Sequence, residues 1–139
     1  MITKKDIENL INVAKETREN AMALKSGHGL GAAIMTIKGN VYGGCNIEGV
    51  ISSLGVCAEM AAIDHAVVHG EYKFKALAVV DKEIVWPCGA CLQYLTQFYQ
   101  LGEEEIEIIA ADESGKFEKK SLGELLPHKY ESKNLKGAF

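Results

Sequence analysis

The chain has no apolar stretch long enough to cross a bilayer and no excess of basic residues. Its 139 residues carry 15 lysines and arginines against 19 aspartates and glutamates, a net charge of −4. A phosphate-rich partner requires a basic surface, so we expect no nucleic-acid partner; we also expect no membrane segment and no signal peptide. The sequence shows no internal repeat, linker or low-complexity tract. Its length and composition predict one domain, residues 1–139, with a single sizeable core.

Cysteine is scarce, and three of the four cysteines stand in two short motifs. Cys57 is followed two residues later by Glu59, and Cys88 and Cys91 form a Cys-x-x-Cys pair after Pro87. This spacing indicates a metal site in a reducing, cytoplasmic compartment rather than a disulfide framework. Three thiolates leave the fourth position of a tetrahedral Zn²⁺ open, as catalytic sites do. Glu59 would then be close enough to move protons to and from the bound water.

Two other interpretations of these cysteines are a structural zinc site and a redox dithiol. The run Trp86-Pro87-Cys88-Gly89-Ala90-Cys91 has some likeness to a thioredoxin-type Cys-x-x-Cys. Neither interpretation explains why Cys57 should be accompanied by Glu59, so the pattern favours a catalytic zinc. Cys45, the fourth cysteine, ends an apolar stretch and is interpreted as a small hydrophobic residue.

Apolar periodicity and turn residues predict alternating helices and strands, and hence an α/β sandwich with helices on the faces of one sheet. Both cysteine motifs fall where a loop becomes a helix, where backbone N–H groups stabilise thiolates. Four helices are predicted: one over 3–24 capped by Thr3, one from Cys57 to Gly70, one from Cys88 to about Leu101, and a short one from the capping box Ser121-Leu122-Gly123-Glu124 to near Pro127. Strands are predicted over 30–37, 41–45, 76–80 and 106–110, and a loop over 46–55.

The two motifs resemble those of the zinc-dependent cytidine deaminases that act on free nucleosides. Cys-x-Glu followed by Pro-Cys-x-x-Cys is the signature of zinc deaminases, and the segment from Gly44 to Ala66 follows the cytidine deaminase pattern without a gap. The likeness extends from Ser26 to Pro127. It implies a single three-layer-type sandwich, with a central mixed five-stranded sheet flanked by helices and the zinc held between two helix N-termini.

The resemblance also implies a reaction, which is hydrolytic deamination of cytidine or 2′-deoxycytidine in pyrimidine salvage. Cys57, Cys88 and Cys91 would hold Zn²⁺, zinc hydroxide would attack C4 of the base, and Glu59 would carry protons until ammonia leaves. The relatives are usually homotetramers that bind a small-molecule nucleoside. The alternatives are deamination of another aminated pyrimidine nucleoside such as blasticidin S and, from a different class, a zinc-stabilised binding module without catalysis.

Five further residues are predicted to bind the substrate because of the resemblance. Asn46 and Glu48 match a pair that hydrogen-bonds the ribose 3′-hydroxyl, although the residues alone favour a solvated turn. His28 and Ala58 are predicted to lie in the substrate pocket. Tyr130 matches an aromatic residue that packs at a neighbouring subunit's active site; from the residues alone it is a surface residue of the tail.

The chain departs from the family pattern around this pocket. His28 stands where the family has a phenylalanine that stacks on the base, and Ser52 replaces a usual aromatic residue. Gly49-Val50 replaces an Asn-Ala pair, and Met60 and Leu92 replace arginines that donate to the sulfurs. The zinc machinery is therefore complete, whereas the pocket for the base is altered.

Overall fold

The structure, a computed structural model, describes residues 2–102 and 104–135. None of the helices in this part of the chain combines the length and the apolar character needed to span a membrane. The elements in chain order are α1 (Lys4–Arg18), β1 (Gly31–Thr36), β2 (Val41–Cys45), α2 (Ala58–Val68), β3 (Phe74–Val80), α3 (Gly89–Gly102), β4 (Glu107–Ala111), β5 (Phe117–Ser121) and α4 (Leu122–Leu125).

The strands form a five-stranded sheet in the order β2-β1-β3-β4-β5. β3 and β4 are parallel, and the other neighbouring pairs are antiparallel. This confirms the predicted mixed sheet. The chain crosses from β3 to β4 through α3, so the segment after Val80 and the start of α3 lie near the carboxyl end of β3.

Alternate residues of the central strands enter apolar clusters on opposite faces of the sheet. In β1, Ala32 and Ile34 pack with α2 and α3, whereas Ala33 and Met35 pack with α1. This alternation follows from the period of two in a strand. Helices therefore cover both faces, as the predicted sandwich requires. The residues that α1 buries are Ile7, Leu10, Ile11 and Ala14.

The first helix ends earlier than its apolar periodicity predicted. Thr3 caps it through a reciprocal capping box, as expected, but the helix stops at Arg18 rather than continuing to residue 24. The N–H of Met22 donates to the carbonyl of Asn46 over 3.0 Å, and the carbonyl of Met22 accepts from the N–H of Glu48 over 2.8 Å. The predicted extension was wrong because this pairing with the 46–48 segment replaces helical hydrogen bonds.

The strand β5 was not predicted from the residues. Its sequence Phe-Glu-Lys-Lys-Ser lacks apolar alternation, and its residues are mostly exposed. It pairs with β4 at the edge of the sheet, where Lys120 lies opposite Ile108. Lysines on an exposed edge strand are common because they discourage pairing with other chains.

The segment that follows α4 is held on α3 by two glutamine side chains. The amide of Gln93 donates to the carbonyl of Tyr130 over 2.8 Å and accepts from its N–H over 3.2 Å. Gln100 makes the same pair of bonds with Ser132, at 2.8 and 3.1 Å. Each glutamine thus acts as a strand partner for one residue of this segment.

Candidate active site

The cysteines of the two motifs meet between the starts of two helices. Cys57 is the N-cap of α2, Cys88 directly precedes α3, and Cys91 lies in the first turn of α3. Their three Sγ atoms lie within 4.8 Å of one another, and those of Cys88 and Cys91 are 3.6 Å apart. Two sulfurs bound to one tetrahedral Zn²⁺ at about 2.3 Å lie about 3.8 Å apart. The cluster therefore suits one zinc ion.

A glycine on β2 allows α2 to bring Cys57 to this place. A Cβ atom on Gly44 would lie 2.3 Å from the backbone N of Ala62 and 2.6 Å from the carbonyl oxygen of Ala58. Real Cβ atoms do not approach backbone that closely, so any side chain at position 44 would push α2 away from the sheet. Close packing of the helix on β2 thus positions the first motif.

Burial and the N-terminal ends of the helices have opposite effects on the pKa of the thiols. Burial raises the pKa of Cys57 and of Cys91, and the nearby Glu59 carboxylate raises both further. Burial also opposes ionisation of Cys88, but hydrogen bonds from the Cys91 backbone N–H, the Cys91 side chain and the Ala90 backbone N–H together outweigh it and lower the pKa of Cys88. A thiol must lose its proton to bind Zn²⁺, so zinc binding here is coupled to proton release.

Glu59 lies in the first turn of α2 beside the sulfur cluster. The residue is only 5% exposed, and burial raises the pKa of its carboxyl group. Its carboxylate interacts with the Cys91 side chain. A buried carboxyl group with a raised pKa takes up a proton more readily than an exposed one, which suits a general acid and base.

A cavity of about 820 Å³ opens beside the sulfur cluster. This volume is in the range of sites for small molecules. Its walls come from the 25–30 segment, the 46–58 region with Glu59, and the 81–88 segment after β3. Cys57, Cys88 and Glu59 line the cavity, so its contents would contact the reactive groups.

Asn46 and Glu48 also line this cavity, and both hold the 25–30 segment in place. The Asn46 amide accepts from the N–H of Leu30 over 2.8 Å and donates to the carbonyl of His28 over 3.0 Å. The Glu48 carboxylate accepts from the backbone N–H groups of Lys25 and Ser26 and from the Ser26 hydroxyl. The Ser26 hydroxyl is the largest cause of the lowered pKa of Glu48, which keeps this carboxylate ionised.

The structure brings together most, but not all, of the predicted substrate-binding residues. Ala58 lines the cavity. His28 does not; its ring nitrogen Nε2 lies 2.9 Å from Asp81 instead. Tyr130 is 74% exposed and lines a separate groove with Met60 on the outer side of α3. Neither the His28 nor the Tyr130 side chain lines the cavity that Glu59 lines.

Sequence reasoning missed Asp81, Val85 and Trp86, which line the cavity. Two signals could have identified them. Asp81 is the polar residue that directly follows a buried strand, and such strand ends commonly carry site residues in α/β proteins. Trp86 directly precedes Pro87 and the first cysteine of the second motif.

Comparison with known proteins finds similarity to cytidine deaminases over nearly the whole chain. Residues 4–102 match the family model of the cytidine and deoxycytidylate deaminase zinc-binding region. The chain is 38% identical over 132 residues to a cytidine deaminase of Sporosarcina psychrophila, covering 94% of this chain and 95% of that protein. It is 32% identical over 139 residues to a blasticidin-S deaminase of Bacillus cereus, covering 93% and 94%.

A solved structure shares the fold. The crystal structure of cytidine deaminase from Burkholderia pseudomallei matches with a TM-score of 0.81 and 35% identity, over 93% of this chain and 100% of that one. The fold and the thiol site thus define an enzyme of the zinc-dependent hydrolases. Within that class, this chain belongs to the cytidine deaminase family.

Proposed function

We propose that this enzyme removes the exocyclic amino group of cytidine and 2′-deoxycytidine by hydrolysis, giving uridine or 2′-deoxyuridine and ammonia. One observation carries the proposal. The buried carboxyl group of Glu59 and two thiols of the three-thiol cluster, those of Cys57 and Cys88, line one cavity of nucleoside size. The names of the relatives support the same substrate class.

Each residue of the site has a role in this reaction. Cys57, Cys88 and Cys91 hold Zn²⁺, which when bound lowers the pKa of a water molecule and so supplies a nucleophile at neutral pH. Glu59 accepts one proton from the attacking water and delivers it to the ring nitrogen next to C4. It then accepts the second proton, from the hydroxyl now attached to C4, and delivers it to the amino group, which leaves as ammonia as the C4–N bond breaks. Its buried position keeps bulk water from competing for these transfers.

Asn46 and Glu48 have hydrogen-bonding capacity left for a sugar hydroxyl. An ionised carboxylate offers about four acceptor positions, and the bonds from Lys25 and Ser26 use three of them. The Asn46 amide retains one N–H donor beyond its bond to the His28 carbonyl. One hydroxyl can therefore donate to Glu48 and accept from Asn46. We assign this contact to the ribose 3′-hydroxyl.

Ammonia release across a panel of compounds tests the proposal. We expect turnover of cytidine and 2′-deoxycytidine, which both carry the 3′-hydroxyl. We expect kcat/KM for 3′-deoxycytidine and for free cytosine to be lower by at least about tenfold, because the pair at 46 and 48 loses its partner. Equal rates for free cytosine and cytidine would contradict the nucleoside assignment. No ammonia from any compound, with zinc bound, would favour a non-catalytic binding module.

Blasticidin S is the second candidate substrate, and the likeness to the blasticidin-S deaminase favours keeping it in the panel. The cytidine deaminase of Sporosarcina psychrophila is the more similar relative, at 38% against 32% identity. We therefore expect cytidine to be preferred. A kcat/KM for blasticidin S above that for cytidine would reverse the assignment.

We further propose that residues 1–139 form one deaminase domain that works as a homotetramer in the cytoplasm, in pyrimidine salvage. Apolar side chains near the cavity support association, since Val50 is 83% and Leu54 75% exposed. Exposed apolar residues in one region commonly mark an interface. The reduced thiols that zinc needs support a reducing compartment. Native mass spectrometry should show a mass of four chains; a monomer at micromolar concentration would contradict the tetramer.

A further inference from the structure

The cavity beside the sulfur cluster has an aromatic wall at a position that the substrate predictions did not include. Among the described residues that line the cavity, Trp86 is the only aromatic one. It lies two residues before Cys88, on the segment that leads from β3 into α3. Its neighbour Val85 also lines the cavity and extends the apolar surface.

The two positions where relatives carry aromatic residues do not supply a ring to this cavity. The imidazole of His28 is hydrogen-bonded to Asp81 and does not line the cavity. Ser52 does line it, but its hydroxyl accepts a hydrogen bond from the Lys25 ammonium over 3.0 Å. The flat face of a pyrimidine would therefore meet no aromatic surface at either of these positions.

The indole of Trp86 is held in place by its surroundings. The residue is half-buried and packs against the apolar cluster under α2 and α3. The ammonium of Lys120 lies 5.9 Å from the ring centroid, over one face of the indole. Lys120 does not line the cavity, so the contents of the cavity meet a different part of the ring. A fixed indole can pack against a base without losing much side-chain freedom.

We propose that Trp86 is the specificity-determining residue for the base, and that the pyrimidine packs against its indole. This inference rests on the proposed function, since it assumes a nucleoside in the cavity. The aromatic contact with the base thus comes from Trp86, on the segment that leads to Cys88 and Cys91, and not from positions 28 and 52. The base is thereby placed between the indole and the Glu59 carboxyl group.

Fluorescence provides a direct test because Trp86 is the single tryptophan of the chain. Titrating cytidine into the zinc-loaded Glu59→Gln variant, in which turnover should be slow, should give a saturable change in tryptophan emission. D-Ribose serves as the matched control, because it carries the sugar hydroxyls without the base. Saturable cytidine binding measured by calorimetry without any emission change would overturn the proposal.

Kinetics test the same contact without fluorescence. Packing of a base on an aromatic side chain changes binding by roughly 5- to 150-fold when the ring is removed. Trp86→Leu keeps apolar bulk and should raise KM for cytidine by that factor, with a much smaller change in kcat. Trp86→Phe should restore most of the loss. Zinc content and circular dichroism of each variant show whether it has folded.

The outcomes separate this inference from the proposed function. If the wild-type enzyme deaminates cytidine while folded Trp86→Leu keeps its KM, Trp86 is not the base-contacting residue and the proposed function stands. If the wild-type enzyme releases no ammonia from any nucleoside, the proposed function fails. In that case the emission titration still decides whether a pyrimidine nucleoside contacts Trp86.

Discussion

Nε2 of His28 lies 2.9 Å from Oδ2 of Asp81, a carboxylate that is almost completely buried at the edge of the cavity. The same carboxylate accepts from the N–H of Lys82 over 2.6 Å and lies 3.7 Å from the guanidinium of Arg18. Arg18 also donates to the carbonyl of Gly29 over 2.8 Å. Asp81 thus connects the 25–30 segment to the end of β3, and the His28 ring makes a structural hydrogen bond at the position where the family resemblance implies an apolar ring.

Replacing His28 with phenylalanine, the residue that the family resemblance implies at this position, should therefore destabilise this chain. The change removes a hydrogen bond to a buried carboxylate, which costs about 1–3 kcal/mol of unfolding free energy; we expect the lower end because His28 is half exposed. Urea unfolding of His28→Phe measures the loss. His128→Phe is the matched control at an exposed histidine near the end of the chain. Equal stability of His28→Phe and wild type would show that the bond contributes nothing.

Zinc content should depend on three of the four cysteines. Purified protein should contain about one zinc per chain, and Cys57→Ala, Cys88→Ala and Cys91→Ala should each lose it, because a site with two protein ligands binds zinc far more weakly. Elemental analysis by mass spectrometry gives the stoichiometry. Cys45→Ala is the control and should keep the metal. Full zinc occupancy in any of the first three variants would contradict the ligand assignment.

Glu59→Gln should separate proton transfer from structure. Glutamine has nearly the same shape, and Glu59 is not among the proposed zinc ligands, so zinc content and the circular dichroism spectrum should be unchanged. Proton transfer by one group contributes about 10²–10⁴-fold to a rate, so kcat should fall at least about 100-fold. Stopped assays of uridine formation measure this loss. Turnover within a few-fold of wild type would place the proton shuttle on another residue.

Acid should weaken the fold partly through Glu71. Hydrogen bonds from the Tyr42 hydroxyl, from Thr36 and from Asn40 lower the pKa of Glu71 below its ordinary value of 4.5. A depressed pKa in the folded state stabilises the protein above pH 4.5, and this contribution is lost as pH falls through the folded-state pKa. Glu71→Gln should therefore be less stable than wild type at pH 7 and lose less stability by pH 3.

Urea unfolding at pH 7, 5 and 3 measures that difference. Glu8→Gln is the control, because Glu8 is exposed on α1. Its stability should follow the wild-type pH dependence. Parallel curves for wild type and Glu71→Gln would show that Glu71 does not contribute to the acid sensitivity.

The zinc site could be predicted from the sequence because its ligands lie in local motifs. Cys57 with Glu59, and Cys88 with Cys91, have spacings that only a few kinds of site require, and each motif begins a helix. The pocket could not be predicted in the same way. The partner of His28 is Asp81, 53 residues away, and nothing in the local sequence of either residue indicates the other.

Element boundaries failed where tertiary pairing replaced local preference. Residues 19–24 continue the apolar periodicity of α1, yet the backbone of Met22 pairs with the 46–48 segment. β5 carries charged residues on both faces, and it is a strand because its backbone pairs with the edge of the sheet at β4. In both places the deciding hydrogen bonds join segments that are distant in sequence, so periodicity alone cannot show them.

The hydrogen bonds from Gln93 and Gln100 on α3 allow the segment after α4 to open separately from the rest of the fold. Its residues Tyr130 and Ser132 are exposed and are held by four hydrogen bonds with the side chains of Gln93 and Gln100. Because both residues are exposed, they cover little apolar surface, so the stretch around them can open without unfolding the sheet. Amide protons of Tyr130 and Ser132 should exchange with solvent long before that of Ile108 in β4. Tyr130 can therefore be presented to another surface at a small cost in free energy while the catalytic core stays folded.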